Sequence, residues 1–299
     1  MEPSPWQEEC TFALASLYLE CDDFIQISND EYETLAAFKD TVIDAIAFER
    51  CYALVLDNYQ ELSEALISLA ETQENQRSDY SEALAHFNLL DRRILNFCST
   101  SRAYIDHVKQ LFKSVDFDFR SFATSTFHEM YDRSPHYRIM EAFRNHAQHN
   151  KLLLSSINYS QQSSPGEAWP AALFARKSDI ATNTRFKKNV LDELPENIDL
   201  GACASRHMAS IGAAHIVMRA KLRKCVLRAR STIKQAISRY QNAFDLDHPV
   251  VVARLTCRTL RDKHLLSNPW EHLIDTLEVR HSKIIGLDVE DLSNSRLRL

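Results

Sequence analysis

The sequence predicts a mainly α protein, and three features carry that reading. Glycine and proline are scarce, four and eight in 299 residues. Turns and hairpins consume these residues, so their scarcity favours long helices joined by few connections. Apolar residues also recur at three- and four-residue steps over long stretches, and helix start signals stand where those stretches begin.

Residues 1–27 read as an N-terminal segment before the first strong signal. Ser28 then lies three residues ahead of Glu31, the capping-box spacing, and apolar positions recur from there through Leu69. One long helix, or two nearly continuous ones, is expected. The polar break "TQENQRSD" follows, and a second helical run begins near Ser78 or Ser81, carrying Leu84, Phe87, Leu90, Ile94, Phe97, Tyr104, Ile105, Val108 and Leu111. Two long helices joined by a short polar loop make an antiparallel pair.

After "KSVDFDFRSF" a short helical segment runs to about Tyr131. Ser134 as N-cap, with Pro135 at the first helical position where a missing N–H costs no bond, then starts a further helix. Beyond it "LLLSSINY" and "AALFARKSDI" are short apolar runs flanking the turn-rich "SQQSSPGEAWP", which predicts a small β-hairpin inserted near 152–180. Helices resume near Arg185, and a long one spans roughly Leu200 to Phe244. The remainder, 246–299, reads as a C-terminal extension, mixed in character and helical around "PWEHLIDTLEVRHSKI".

A hydrophobic share of 45% and a charged share of 25% are those of an ordinary soluble globular chain. No segment approaches the roughly 18 uninterrupted apolar residues of a membrane span. The acidic "MEPSPWQEEC" differs from the basic-then-apolar pattern of a secretory signal, so a cytoplasmic protein without a membrane partner is expected. Seven scattered cysteines, Cys10, Cys21, Cys51, Cys98, Cys203, Cys225 and Cys257, form no CxxC pair and read as buried reduced thiols. The net charge of −6 is unevenly spread: acids dominate residues 1–79, while Met218 to Tyr240 contains none. Arg219, Lys221, Arg223, Lys224, Arg228 and Arg230 in that stretch are candidate contacts to a polyanion such as RNA. The same stretch could instead be a solvated helix face, or a face that docks on the acidic N-terminal half of the chain.

The string "MEAFRNHAQHN", Met140 to Asn150, concentrates Arg144, Asn145, His146 and His149 at the end of a short helix. At about 100° per residue, Asn145 and His149 share a face, whereas Arg144 and His149 stand roughly 140° apart. For both to act on one ligand, the ligand wraps the helix or two copies of the helix meet, as a symmetric dimer allows.

Arg144, Asn145, three residues and His149 resemble the RNxxxH form of the Rx4-6H motif of the HEPN superfamily, α-helical proteins of which many are metal-independent ribonucleases acting as toxins or in phage defence. The two long antiparallel helices ahead of a short motif-bearing helix are similar as well. The resemblance implies a HEPN-like helical bundle over 28–245 and an endoribonuclease that cleaves by 2′-hydroxyl attack, without a cofactor. Arg144, Asn145 and His149 would be catalytic, in a homodimer acting on RNA and restrained by a possible antitoxin protein. His149 has the pKa range for proton transfer, near about 6.5 unperturbed. Arg144 stays cationic and can hold two phosphate oxygens, while Asn145 can orient phosphate or imidazole. Lys151 stands where some of these toxins carry a tyrosine that a partner modifies, so that route of neutralisation is not expected.

Asp106, His107 and His146 are auxiliary candidates: Asp106 or His107 to orient the motif from the preceding helix, and His146 to form with His149 an i, i+3 pair that binds zinc only if a third ligand joins. No metal is expected. Other readings stay open. The motif could be a polar helix end in which Arg144 pairs with an acid and the histidines cap carbonyls. The fold could also bind RNA or a nucleotide, or serve as a scaffold, without cutting. Glycine-rich phosphate loops, GxSxG turns and HExxH motifs, the marks of commoner enzyme classes, are absent from the sequence.

Overall fold

The computed structural model describes residues 11–18, 23–73, 80–149, 152–159, 171–183, 186, 188–256, 259–267 and 272–282. These residues are mainly helical, with two small antiparallel sheets. None of their helices is long and apolar enough to cross a membrane. The chain forms two units, each from non-contiguous segments: the first from 1–49, 110–120 and 219–279, the second from 50–109, 121–218 and 280–299.

The two longest helices contribute several turns to each unit. Helix α1, Asn29–Gln73, is a single helix, and the amide of Glu31 donates to Ser28 Oγ at 3.1 Å, satisfying one of the free N–H groups of its first turn. Helix α7, Leu200–Phe244, starts where Asp199 Oδ1 accepts from the amide of Ala202 at 2.9 Å. It ends with Asp245 at φ 53° and the amide of Leu246 bonded to the carbonyl of Gln241. That is a Schellman-type end in which aspartate takes the left-handed position usually given to glycine.

In the first unit, α1 and α7 run antiparallel, since contacts rise along one as they fall along the other. Arg239 pairs with Glu31, Arg228 sits over the Phe38 ring and Arg219 grips Glu49. A four-stranded sheet of order β2-β1-β6-β7 accompanies them: β1, Thr11–Ser16; β2, Phe24–Ile27; β6, Val250–Thr256; and β7, Thr259–Leu265. Phe12 lies opposite Arg254 and Ala15 opposite Val251. Ala15, Val251 and Ala253 form a buried cluster, flanked by Leu17 and Leu260. The edge strand β7 is charged and mostly exposed, with Asp262 at positive φ beside a register shift, features that discourage pairing with a further strand. The unit also contains α8, His272–Arg280. Residues read as an N-terminal segment and a C-terminal extension are therefore neighbours in one sheet, an architecture local periodicity does not disclose.

In the second unit, α1 pairs with α2, Tyr80–Val108, through Tyr59 with Phe97, Tyr52 with Tyr104, and an ion pair between Glu61 and Arg93. Partner numbers fall on α2 as they rise on α1, so these helices are antiparallel as expected. Residues 200–218 of α7 complete the layer: the ring of His215 stacks on Tyr52 with centroids 4.0 Å apart, and its Nδ1 lies 2.9 Å from the Tyr104 hydroxyl. Helices α3, Phe119–Arg133, and α4, Pro135–His149, follow in the chain. The expected hairpin is present as β3, Ser156–Tyr159, and β4, Ala171–Arg176, with Ser156 opposite Phe174. It gains a third strand, β5, Asn197–Asp199. The run "AALFARKSDI" leaves the strand at Arg176 and becomes helix α5, Lys177–Ala181, and α6, Lys188–Glu193, precedes β5. Asp91 anchors the approach to the hairpin: its buried carboxylate accepts from the amide of Leu154 at 3.2 Å.

Candidate functional site

Helix α4 begins as its sequence dictates, with the amide of Tyr137 donating to Ser134 Oγ at 3.2 Å. Met140, Phe143 and His146, at three-residue steps, are buried and fix the helix in the second unit. A neighbouring stripe, Arg138, Glu141, Ala142 and Asn145, instead lines a cavity of about 590 Å³. The cavity's other walls come from one face of α2, Arg102, Ile105 and Lys109, and from Phe127, His128 and Tyr131 on α3. Tyr137, Arg144, Asn183 and Phe186 complete it.

Among the described residues four cations and one acid, Glu141, line this space, but the cations' charges are not equally available. Arg102 bonds Asp106 at 2.8 Å and Glu141 at 3.2 Å, tying α2 to α4. Burial opposes the charge on Arg102, yet the two carboxylates outweigh it and raise its pKa above the ordinary value. Arg138 donates to the carbonyls of Tyr131 and Asp132 at the end of α3 and pairs with Glu193 at 3.0 Å. Lys109 lies 5.7 Å from the Phe127 ring centroid, a cation–π contact that leaves its ammonium free to meet an anion. Arg144 donates from Nη2 to Asn145 Oδ1 at 2.6 Å, while its buried Nε has no hydrogen-bond partner among the described residues. Burial, and secondarily Glu141, raises the pKa of Tyr137, so its phenol remains protonated.

The bond between Arg144 and Asn145 brings two of the three motif residues together. Arg144 projects from a neighbouring face of α4, and its long side chain turns toward Asn145, so both stand at one wall. By helical register, position 149 continues the stripe of 138, 142 and 145, being eleven, seven and four residues beyond them. The side chain of His149 itself lies outside the described residues.

The auxiliary candidates fall in different places. Asp106 is engaged with Arg102 just outside the cavity wall. His107 Nδ1 lies 3.9 Å from Cys51 Sγ and does not line the cavity. His146 is 2% exposed, with Nδ1 3.1 Å from Asn183 Nδ2 and its ring edge toward Phe186. It is a core histidine that positions the wall residues Asn183 and Phe186, because a ring so enclosed is withheld from solvent and ligand alike. Position 151 lies outside the described residues.

The six basic candidates on α7 belong to the first unit and divide by engagement. Arg219 makes a two-pronged bond to buried Glu49, at 2.8 and 2.6 Å, and Arg230 one to Asp275, both at 2.8 Å. Lys221 covers Phe117 and Arg228 covers Phe38, their charged ends at 5.1 and 5.5 Å from the ring centroids. Arg223 and Lys224 are exposed. Docking on the acidic N-terminal half accounts for Arg219 through Glu49, whereas the acid that engages Arg230 comes from the C-terminal part of the chain.

Sequence periodicity did not single out Lys109, His128, Tyr131 or Arg138. Each occupies an unremarkable position on its own helix, and only the packing of α2, α3 and α4 brings them together. The described thiols are free, and burial pushes Cys98 and Cys203 up to about 12, which leaves them unreactive. Comparison of the chain with protein-family models, with curated proteins and with solved structures finds no match.

Proposed function

We propose that this protein is a metal-independent endoribonuclease of the HEPN type, acting as a homodimer in toxin–antitoxin or phage-defence biology. The observation that carries the reading is the position of Arg144 and Asn145 together in the wall of the second unit's cavity, with Lys109 on the same cavity. A guanidinium at a cavity wall can hold phosphate oxygens with its planar fork. Tyr131, half-buried at the wall, adds ring surface on which an unpaired base can stack.

In this reading the cleft receives a phosphodiester of single-stranded RNA. Arg144 holds the non-bridging oxygens and offsets the charge that grows as the 2′-oxygen attacks phosphorus. Lys109 contributes a second positive charge. Asn145 keeps the guanidinium aimed, and His149 moves a proton. The products carry a 2′,3′-cyclic phosphate and a 5′-hydroxyl.

The test is incubation of purified protein with mixed RNA in EDTA, beside Arg144→Ala and His149→Ala. Cyclic-phosphate ends are expected with the unaltered protein, reduced by about 10²- to 10⁴-fold in each variant. Tight RNA binding with no cleavage would replace the nuclease by a binding protein of the same architecture, and cleavage that survives both substitutions would sink the assignment.

A further inference from the structure

Cleavage by an internal hydroxyl needs two proton movements. The 2′-oxygen loses a proton as its bond to phosphorus forms, and the 5′-oxygen gains one as its bond to phosphorus breaks. No outside oxidant, reductant or water is consumed, so a base and an acid suffice. One imidazole can serve both ends only if it shuttles between them, and a protonated acid poised opposite a neutral base avoids that delay.

The cavity has a second imidazole. His128 on α3 lines it together with Arg144, Asn145 and Lys109, although no feature of the sequence marks it. Phe127, the residue before it, is buried and fixes the rotation of α3, as do Phe119, Ala123 and Met130 on the same buried face. That rotation carries His128, together with Tyr131 one turn on, to the cavity side of the helix. The His128 ring is exposed, and no hydrogen bond, ion pair or ring contact engages it among the described residues. Histidines tied down for structural reasons in this chain look different: His146 is held by Asn183, and His207 and His215 are enclosed by aromatic rings. A cavity of about 590 Å³ is roughly 10 Å across, so groups on opposite walls can reach the two oxygens of one phosphodiester.

We propose that His128 is a catalytic residue of this cleft, taking one half of the acid–base duty whose other half the ribonuclease reading gives to His149. The assignment rests on the ribonuclease reading. One imidazole is neutral and takes the 2′-hydroxyl proton, and the other is protonated and delivers a proton to the departing 5′-oxygen. Net transfer is one proton from the 2′-oxygen to the 5′-oxygen, and each imidazole returns to its starting state by exchange with solvent.

The experiment compares the unaltered protein with His128→Gln, His128→Ala and His149→Ala on a short RNA in EDTA, measuring kcat and KM from pH 5 to 9. The expected result for His128→Gln is a fall in kcat of about 10²-fold or more with KM within about threefold, and loss of one limb of a bell-shaped pH profile. Added imidazole should restore part of the activity of His128→Ala. Because His128 is exposed, both variants should keep the melting temperature of the parent. If the parent cleaves and His149→Ala does not, while His128→Gln retains kcat within about threefold or both pH limbs, the His128 assignment falls and the nuclease reading stands. If the parent leaves RNA intact, both fall together.

Discussion

Lowering the pH should destabilise the second unit through His207, and the size of the effect follows from its surroundings. The ring is 1% exposed, between Phe97 at 5.7 Å and Tyr137 at 4.8 Å, and its Nδ1 has no partner. Burial with nothing to receive a charge lowers its pKa from 6.5 to about 3. In the unfolded chain the imidazole titrates near about 6.5. Between these values only the unfolded state binds the proton, so the stabilising contribution is fully present above about pH 6.5 and drains away as the pH falls toward about 3. At about 1.36 kcal/mol per pH unit, the loss between pH 7 and pH 5 is about 2 kcal/mol. Urea denaturation followed by far-ultraviolet circular dichroism at those two pH values measures it. His207→Phe keeps an aromatic ring in the same space and removes the titration, so its loss over the interval should be smaller by about 2 kcal/mol. Any constant packing cost of the larger ring cancels in the comparison. Parallel pH dependence in parent and variant would refute the reasoning, because it would show that the ring takes up its proton as readily in the folded protein as in the unfolded chain.

Two further outcomes are expected. Glu49→Gln should destabilise the first unit by about 3 kcal/mol, since it leaves the Arg219 guanidinium facing a neutral amide inside a largely buried pair, and a lowered urea midpoint would record it. Asp91→Ala removes the acceptor that holds the Leu154 amide; hydrogen exchange at Leu153 and Leu154 should accelerate and stability should fall by about 1–2 kcal/mol, while unchanged exchange would show the loop is held by other contacts.

The helices were legible where periodicity and caps coincide. Ser28 with Glu31, Ser134 with Pro135 and the long apolar repeat from Leu200 each announce a helix whose ends the structure reproduces within a few residues. The four-stranded sheet was not, because its pairing is non-local. "VVVARLT" is too short to declare itself by periodicity, and nothing near it in the chain indicates that its neighbour is "TFALAS". Glycine scarcity was a fair guide to helix content and a poor one to helix ends, since Asp245 closes α7 without it. In the candidate site, Arg144 and Asn145 could be picked out because they crowd one helix end. His128 and Lys109 could not: their meaning depends on which helices face one another, and a repeat in one helix tells which side is buried but not what lies across from it. The basic stretch of α7 was open to an external or an internal partner, and the acids that answer Arg219, Arg230 and Arg239 lie far away in sequence.

The joining of β1 to β6 has a consequence for how the protein is made. As the chain leaves the ribosome, "TFALAS" emerges first and then waits for "VVVARLT" while the long helices between them are made. During that interval the early hairpin presents a bare apolar border, the kind of surface that chaperones bind and that seeds aggregates. A nascent chain stalled before Val250 would have every long helix but an unfinished four-stranded sheet, and its fate would be decided by quality control rather than by folding.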